Sequence, residues 1–230
     1  MDLVSYRLDQ SIATITLDDG KVNALSPAMQ SQINRALDQA AADGAVVVLT
    51  GRPGVWSAGF DLSVLRTGGA DGLAMVRGGF VLAERLITFP RPVVIACTGH
   101  AVAMGLFLLL SADYRIAASG PFKLTANEVS IGMTMPTAAI ALCRQRLTPA
   151  HLHRALTLSE VYAPEDAVAG GFVDRVVPPG ELAEAARQAA VRFTALDRTA
   201  HAATKLRVQE PTLQAMRSAL GADDLELRPR

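Results

Sequence analysis

Val55-Trp-Ser-Ala-Gly-Phe-Asp-Leu62 and Gly99-His-Ala-Val-Ala-Met-Gly105 are the two stretches whose reading decides the fold. Each follows an apolar, β-branched run and precedes a helix-like pattern. A strand that turns directly into a helix leaves backbone N–H groups without intrahelical acceptors, and the helix dipole adds positive potential there. Two such turns facing one another would grip a single carbonyl oxygen and stabilise negative charge on it. The residue that handles protons between them then decides the chemistry.

The surrounding sequence supplies strands and helices in alternation. Ala45-Val-Val-Val-Leu49 and Val93-Val-Ile-Ala-Cys97 read as strands buried on both faces, and Tyr114-Arg-Ile-Ala117 as a third. Upstream, residues 3–8 and 12–17 predict a hairpin, with Ala13, Ile15 and Leu17 alternating with polar neighbours. Ser26-Pro27 is a helix start, with serine as N-cap and proline at the first position. Met29, Ile33, Ala36, Leu37 and Ala40 share one face of that helix, and Gly44 ends it. Further helices are expected from 61, over 80–88 and over 103–111. Gly68, Gly69, Gly72, Gly78 and Gly79 crowd the stretch 67–79, which is therefore expected to be mobile. Beyond Pro136 the pattern is helical at 136–146, 149–159 and 164–169, with a short strand at Phe172–Val177. Pro178-Pro179-Gly180 marks a boundary between a core of residues 1–180 and a helical region, 181–230. That region is too small for a core of its own, is expected to break near 197–199 and at Pro211, and should pack on the body or on a neighbouring subunit.

Composition narrows the function. The 230 residues carry 22 Lys+Arg against 22 Asp+Glu, so the net charge of zero argues against nucleic-acid binding. Half the residues are hydrophobic, which with low net charge suits an oligomer that hides surface. Cys97 and Cys143 sit in apolar stretches and read as buried, reduced thiols. No CxxC or HExxH motif occurs, so no metal site is expected; His151 and His153 are spaced i, i+2 and do not share a helix face. The longest apolar run, Ala101–Leu110, falls far short of the ~20 residues that span a bilayer. The N-terminus lacks the charged and apolar regions of a secretory signal, so a cytoplasmic location is expected, with no membrane association.

Several motifs in order resemble the crotonase superfamily, the enoyl-CoA hydratase/isomerase family. They are Lys21-Val-Asn-Ala-Leu25, Trp56-Ser-Ala-Gly-Phe-Asp-Leu62, Arg91-Pro-Val-Val-Ile-Ala, Gly99-His-Ala-Val-Ala-Met-Gly105, Ala112-Asp-Tyr-Arg-Ile-Ala117 and Tyr162–Val177. The resemblance runs from about residue 10 to residue 210 and implies an α/β fold. That fold is a spiral of repeated ββα units, closed by a C-terminal helical trimerisation region. It implies a homotrimer or dimer of trimers that binds acyl-CoA and stabilises a thioester enolate. No cofactor is implied beyond the coenzyme A carried by the substrate. The oxyanion-hole N–H groups fall on Phe60 and Met104. Ala103 and Met104 replace two glycines of the family pattern, which would hold the backbone further from the ligand. Acyl-CoA contacts fall on the backbone around Ala24, Ala58, Phe60 and Leu62, with Met104 and Phe107 also in the substrate site.

The same resemblance exposes departures. Hydratases of the family use two glutamates, and the position of the first is Phe107, which neither donates nor accepts a proton. The second matches Glu128, four residues before Gly132, although the preceding Phe122 is two residues further away than usual and Pro136 one later. One glutamate suits the shift of a double bond, which needs one base that takes a proton from one carbon and returns it to another. Isomerase-type chemistry is therefore favoured over hydration, and a catalytically degenerate acyl-CoA binder is the alternative. Glu128 is expected to be partly buried near Phe107, with a raised pKa. Hydrolysis through Ser57 is disfavoured, because Gly54 stands three residues before the serine and the G-x-S-x-G elbow is absent. Asp61 reads as a helix N-cap and His100 as structural. Lys205 and Arg207 read as solvated charge, with contact to CoA phosphates as the alternative.

Overall fold

The computed structural model describes residues 2–221. The chain runs β1 (Val4–Asp9), β2 (Ile12–Leu17), α1 (Pro27–Ala42), β3 (Val46–Thr50), β4 (Gly54–Ser57), α2 (Leu62–Thr67) and α3 (Gly69–Thr88). It continues through β5 (Val93–Cys97), β6 (Gly99–Val102), α4 (Met104–Leu110), β7 (Tyr114–Ala118), β8 (Leu124–Thr125) and α5 (Thr137–Arg144). Last come α6 (Pro149–Thr157), α7 (Pro164–Gly170), β9 (Arg175–Val177), α8 (Leu182–Thr194) and α9 (Arg198–Gly221).

Strands alternate between two sheets. The larger has the order β1-β2-β3-β5-β7-β9 and the smaller β4-β6-β8. The β1–β2 hairpin is antiparallel; the other pairs of these strands run parallel. Each turn of the chain thus lays one strand in each sheet and then a helix, which is the expected ββα spiral. The short strands of the second sheet, two to four residues each, carry too few positions for a period-2 pattern to register.

The central strands of the larger sheet, β3, β5 and β7, are buried on both faces, as their unbroken apolar runs required. Val47, Leu49, Val93 and Ile95 face the main core, which α1, α3 and α4 also fill. Val46, Val48, Val94 and Ala96 face the other way, against Leu182, Ala185, Ala186, Ala189 and Ala190 of α8. Alanine along one face of α8 lets that helix lie close on the strands. The region after Pro178 therefore completes the core. Helix α9 packs on α3 and α5, with Leu213, Met216 and Leu220 joining the main core.

Three expectations are corrected. The glycine-rich stretch 67–79 is not a mobile loop: Gly69–Thr88 is one continuous helix. Its glycines permit close approach, since a Cβ on Gly78 would lie 2.4 Å from Oε1 of Gln30, and one on Gly79 2.5 Å from the Phe60 ring. Pro211 does not interrupt α9. A mid-helix proline costs about 3 kcal/mol, and the buried Gln209, Leu213 and Met216 on either side hold the helix through it. Lys205 is neither solvated charge nor a free cation for CoA. It is 7 % exposed, and its ammonium donates to the carbonyl of Leu86 at 3.0 Å and to Asp113 at 2.7 Å. It ties α9 to the end of α3 and the start of β7, whereas Arg207 is exposed. No helix among the described residues is long and apolar enough to cross a membrane.

Candidate active site

The small sheet sets the site, because its three parallel strands end on the same side. Strand β4 runs into Ala58-Gly59-Phe60, β6 into Ala103-Met104, and β8 into the loop carrying Glu128. Gly59 has φ +89°, and a Cβ there would stand 3.0 Å from the carbonyl of Val102 and 3.3 Å from the amide nitrogen of Met104. The two turns are thus in contact. Gly105, at the start of α4, serves the same close approach from the other side: a Cβ there would be 2.4 Å from the Ser57 carbonyl.

Hydrogen bonds fix the first turn. Leu25 N donates to Gly59 O at 2.8 Å and Ala58 N to Val22 O at 3.0 Å. Ser57 Oγ donates to Asn23 O at 2.8 Å and accepts from Gly59 N at 3.2 Å, so this hydroxyl is structural and not a nucleophile. Asp61 caps α2 as expected, its carboxylate accepting from Ser63 N at 2.8 Å. The Phe60 N–H has no protein acceptor among the described residues, and Met104 N–H, first in α4, has no acceptor within its helix. Ala103 holds φ +50° and ψ −125°, a conformation that glycine adopts freely and alanine does not. The backbone therefore keeps the glycine-like turn despite the substitution. Met104 itself turns its side chain into the core.

Between the turns and the Glu128 loop lies a pocket of about 200 Å³. Ala58, Phe60, Leu62, Phe107 and Glu128 line it, five of the seven expected site residues. Ala24 and Met104 do not line it, although Ala24 sits beside the turn and Met104 offers its backbone there. Sequence reading missed Phe80, Ala103 as a wall residue, Asn127 and Met133. The apolar face of α3 carried a signal for Phe80; nothing marked Asn127.

Glu128 is 6 % exposed, and its Oε2 has no hydrogen-bond partner among the described residues. Burial among apolar groups penalises the carboxylate and pushes its pKa up to about 7. Phe107 stacks on Phe80 with ring centroids 6.4 Å apart, forming an aromatic wall. Cys97 and Cys143 are buried free thiols. His100 accepts from Lys123 N at 3.0 Å and meets the edge of Phe122, a structural role. No cluster of metal-ligating side chains occurs among the described residues.

The sequence pattern described as enoyl-CoA hydratase/isomerase matches residues 7–225. The chain belongs to this family. A putative enoyl-CoA hydratase of Thermus thermophilus is 34% identical over 224 residues, covering 93% of this chain and 84% of that protein. The crystal structure of an enoyl-CoA hydratase/isomerase family protein from Pseudomonas syringae is 45% identical, with a TM-score of 0.96 and 98% of both chains covered. A Mycobacterium tuberculosis protein, called an enoyl-CoA isomerase in one crystal structure and a probable enoyl-CoA hydratase in another, is 46% identical, with a TM-score of 0.94, covering 98% of this chain and 96–99% of that one. The spiral α/β architecture is the one shared with these enoyl-CoA hydratase/isomerase family structures.

Proposed function

We propose that this family member is an enoyl-CoA isomerase with a single glutamate base. One observation carries the reading: among the described residues Glu128 is the sole ionisable side chain lining the pocket, buried with its Oε2 unpartnered, in a pocket also lined by Phe107 and Phe80. In a 3-enoyl thioester the Glu128 carboxylate takes a proton from C2. The electron pair moves onto the thioester oxygen, where the N–H groups of Phe60 and Met104 hold it. Protonated Glu128 then returns the proton to C4 as the pair collapses, and the C3=C4 double bond becomes C2=C3. A carboxyl group that titrates near neutrality suits both halves of this exchange. Removing one oxyanion-hole donor costs about 2.7–4 kcal/mol in other enzymes, which sets the scale of the contribution expected from each amide. Proton transfer alone is required, so coenzyme A, carried on the substrate, is the one carrier the reading calls for.

The Mycobacterium tuberculosis relative carries both an isomerase and a hydratase name and the Thermus relative a hydratase name, so the names of the relatives do not choose between the two reactions. Incubation with 2-enoyl- and 3-enoyl-CoA panels, products identified by mass and NMR, separates the two. Isomerised product from 3-enoyl-CoA, lost in Glu128→Gln with CoA affinity kept, is the expected result. Hydration as fast as isomerisation would overturn the preference, and a wild-type protein that binds acyl-CoA without turnover would favour a degenerate binder. The same reading includes a homotrimer or dimer of trimers, for which exposed Leu196, Leu206 and Val208 offer apolar surface. Light scattering should return the mass of three or six chains. It also includes a cytoplasmic location, supported by the two unpaired thiols.

A further inference from the structure

Among the described residues, two side chains supply all the polar side-chain groups of the pocket. Eleven of its lining residues are apolar; the other two are neighbours in sequence, Asn127 and Glu128. Oδ1 of Asn127 and Oε2 of Glu128 are both buried without a hydrogen-bond partner. Buried side-chain oxygens are seldom left unpaired, and a pair of orphans in one cavity points to a shared donor. The backbone carbonyls of both residues are engaged. Asn127 O accepts from Ser130 Oγ at 2.7 Å and from Ile131 N at 3.3 Å, and Glu128 O accepts from Met133 N at 2.9 Å. The loop is therefore held in shape by its main chain, and both side-chain oxygens remain for something inside the pocket.

We propose that Asn127 is a further residue of the site, and that its amide and Glu128 together hold one water molecule against the substrate. Water has two O–H groups, and the two orphan oxygens accept one each. The pocket, at about 200 Å³, has room for it beside a short acyl group. The arrangement gives the protein a second, slower reaction that rests on the Glu128 reading above. With a 2-enoyl thioester, the water oxygen bonds to C3 while one of its protons passes to Glu128. The C2=C3 π pair moves toward the thioester oxygen. Glu128 then delivers the proton to C2, leaving a 3-hydroxyacyl thioester. Asn127 orients the water, so hydration needs it in a way that isomerisation, which uses no water, does not.

The test measures hydration of 2-enoyl-CoA and isomerisation of 3-enoyl-CoA in the same preparations of wild type, Asn127→Ala and Asn127→Asp. In Asn127→Ala the ratio of hydration to isomerisation should fall about tenfold, the kinetic equivalent of one lost hydrogen bond. In Asn127→Asp the acid limb of the isomerisation profile should move to higher pH, because a second carboxylate facing the same cavity disfavours ionisation of Glu128. A fall in both rates by the same factor, or no fall in either, would assign Asn127 to structure alone. An Asp variant with an unmoved pH profile would do the same. Absence of any hydration by wild type would overturn the water site while leaving the isomerase reading intact. Isomerisation that persists in Glu128→Gln would instead refute the base assignment, whatever the Asn127 variants do.

Discussion

Glu128→Gln should separate stability from activity, and the separation should depend on pH. Glu128 moves from an ordinary 4.5 to about 7 on folding because its pocket is apolar. The folded protein therefore binds more protons than the unfolded chain between these two values. A carboxyl group raised in this way leaves stability highest below pH 4.5 and lowers it as pH rises through 7. The shift corresponds to about 3 kcal/mol once the carboxylate is fully charged, at about 1.4 kcal/mol for each tenfold change. Glutamine never charges, so the variant escapes that penalty. Its own fixed costs, such as a buried amide in need of partners, are the same at every pH and cancel in a difference. Urea unfolding of both proteins should be measured at about pH 4 and about pH 8.5, at one protein concentration so that the proposed oligomer's mass action is held constant. The variant's stability relative to wild type should rise by about 3 kcal/mol between those conditions, a shift in Tm of about 6–12 °C for a chain of this size. Its isomerase rate should fall by about a hundredfold or more. A change in relative stability below about 1 kcal/mol would show that burial does not raise Glu128, and the neutral-pH argument for a lone base would fall with it.

Other positions test the scaffold. Gly79→Ala places a Cβ 2.5 Å from the Phe60 ring, so it should cost about 1–3 kcal/mol by overpacking and slow turnover by displacing the Phe60 turn. Thermal melts and initial rates read both. Ala103→Gly relieves the positive φ at the second turn; the strain relieved, about 1–3 kcal/mol, should outweigh the added chain entropy of glycine, about 0.5–1 kcal/mol. A slightly higher urea midpoint with kcat kept is the expected outcome. Lys205→Ala leaves Asp113 and the Leu86 carbonyl without their shared donor and should destabilise by about 3–5 kcal/mol, the usual cost of breaking a buried pair. If exposed charge were its role, the melt would not move.

The main sheet was legible because Val46–Thr50 and Val93–Cys97 are too apolar for any half-exposed element. The turn residues were legible for another reason: Gly59 and Gly105 stand where any Cβ would strike backbone, so sequence and geometry are tied one to one. Helix α3 was obscured because glycine has poor intrinsic helix propensity, and its reason for being there lies in Gln30 and Phe60, which are distant in sequence. Lys205 was obscured in the same way. Its partner Asp113 is 92 residues away, and a lone lysine in a polar helix reads as surface. Asn127 carries no charge and no periodicity, and only the shape of the pocket gives it a role.

Phe107 does more than delete a carboxylate. All seven residues of α4 are buried, so a second glutamate at 107 would bring another charge into the interior. Phenylalanine instead stacks on Phe80, and both rings line the pocket that holds Glu128. The rings contribute to the burial that keeps bulk solvent from the carboxylate, and that burial raises its pKa to about 7. A base at its ordinary 4.5 would accept a proton weakly at neutral pH; one near 7 both accepts and returns it. On the single-base proposal, the residue at the position of the family's first glutamate would thus also help the remaining one to act alone. Phe107→Ala tests this directly. It should cost about 3–5 kcal/mol as a large-to-small core change and admit water beside Glu128. The acid limb of kcat/KM should then fall from near 7 toward 4.5. A folded Phe107→Ala whose limb stays near 7 would place the cause of the raised pKa elsewhere in the pocket.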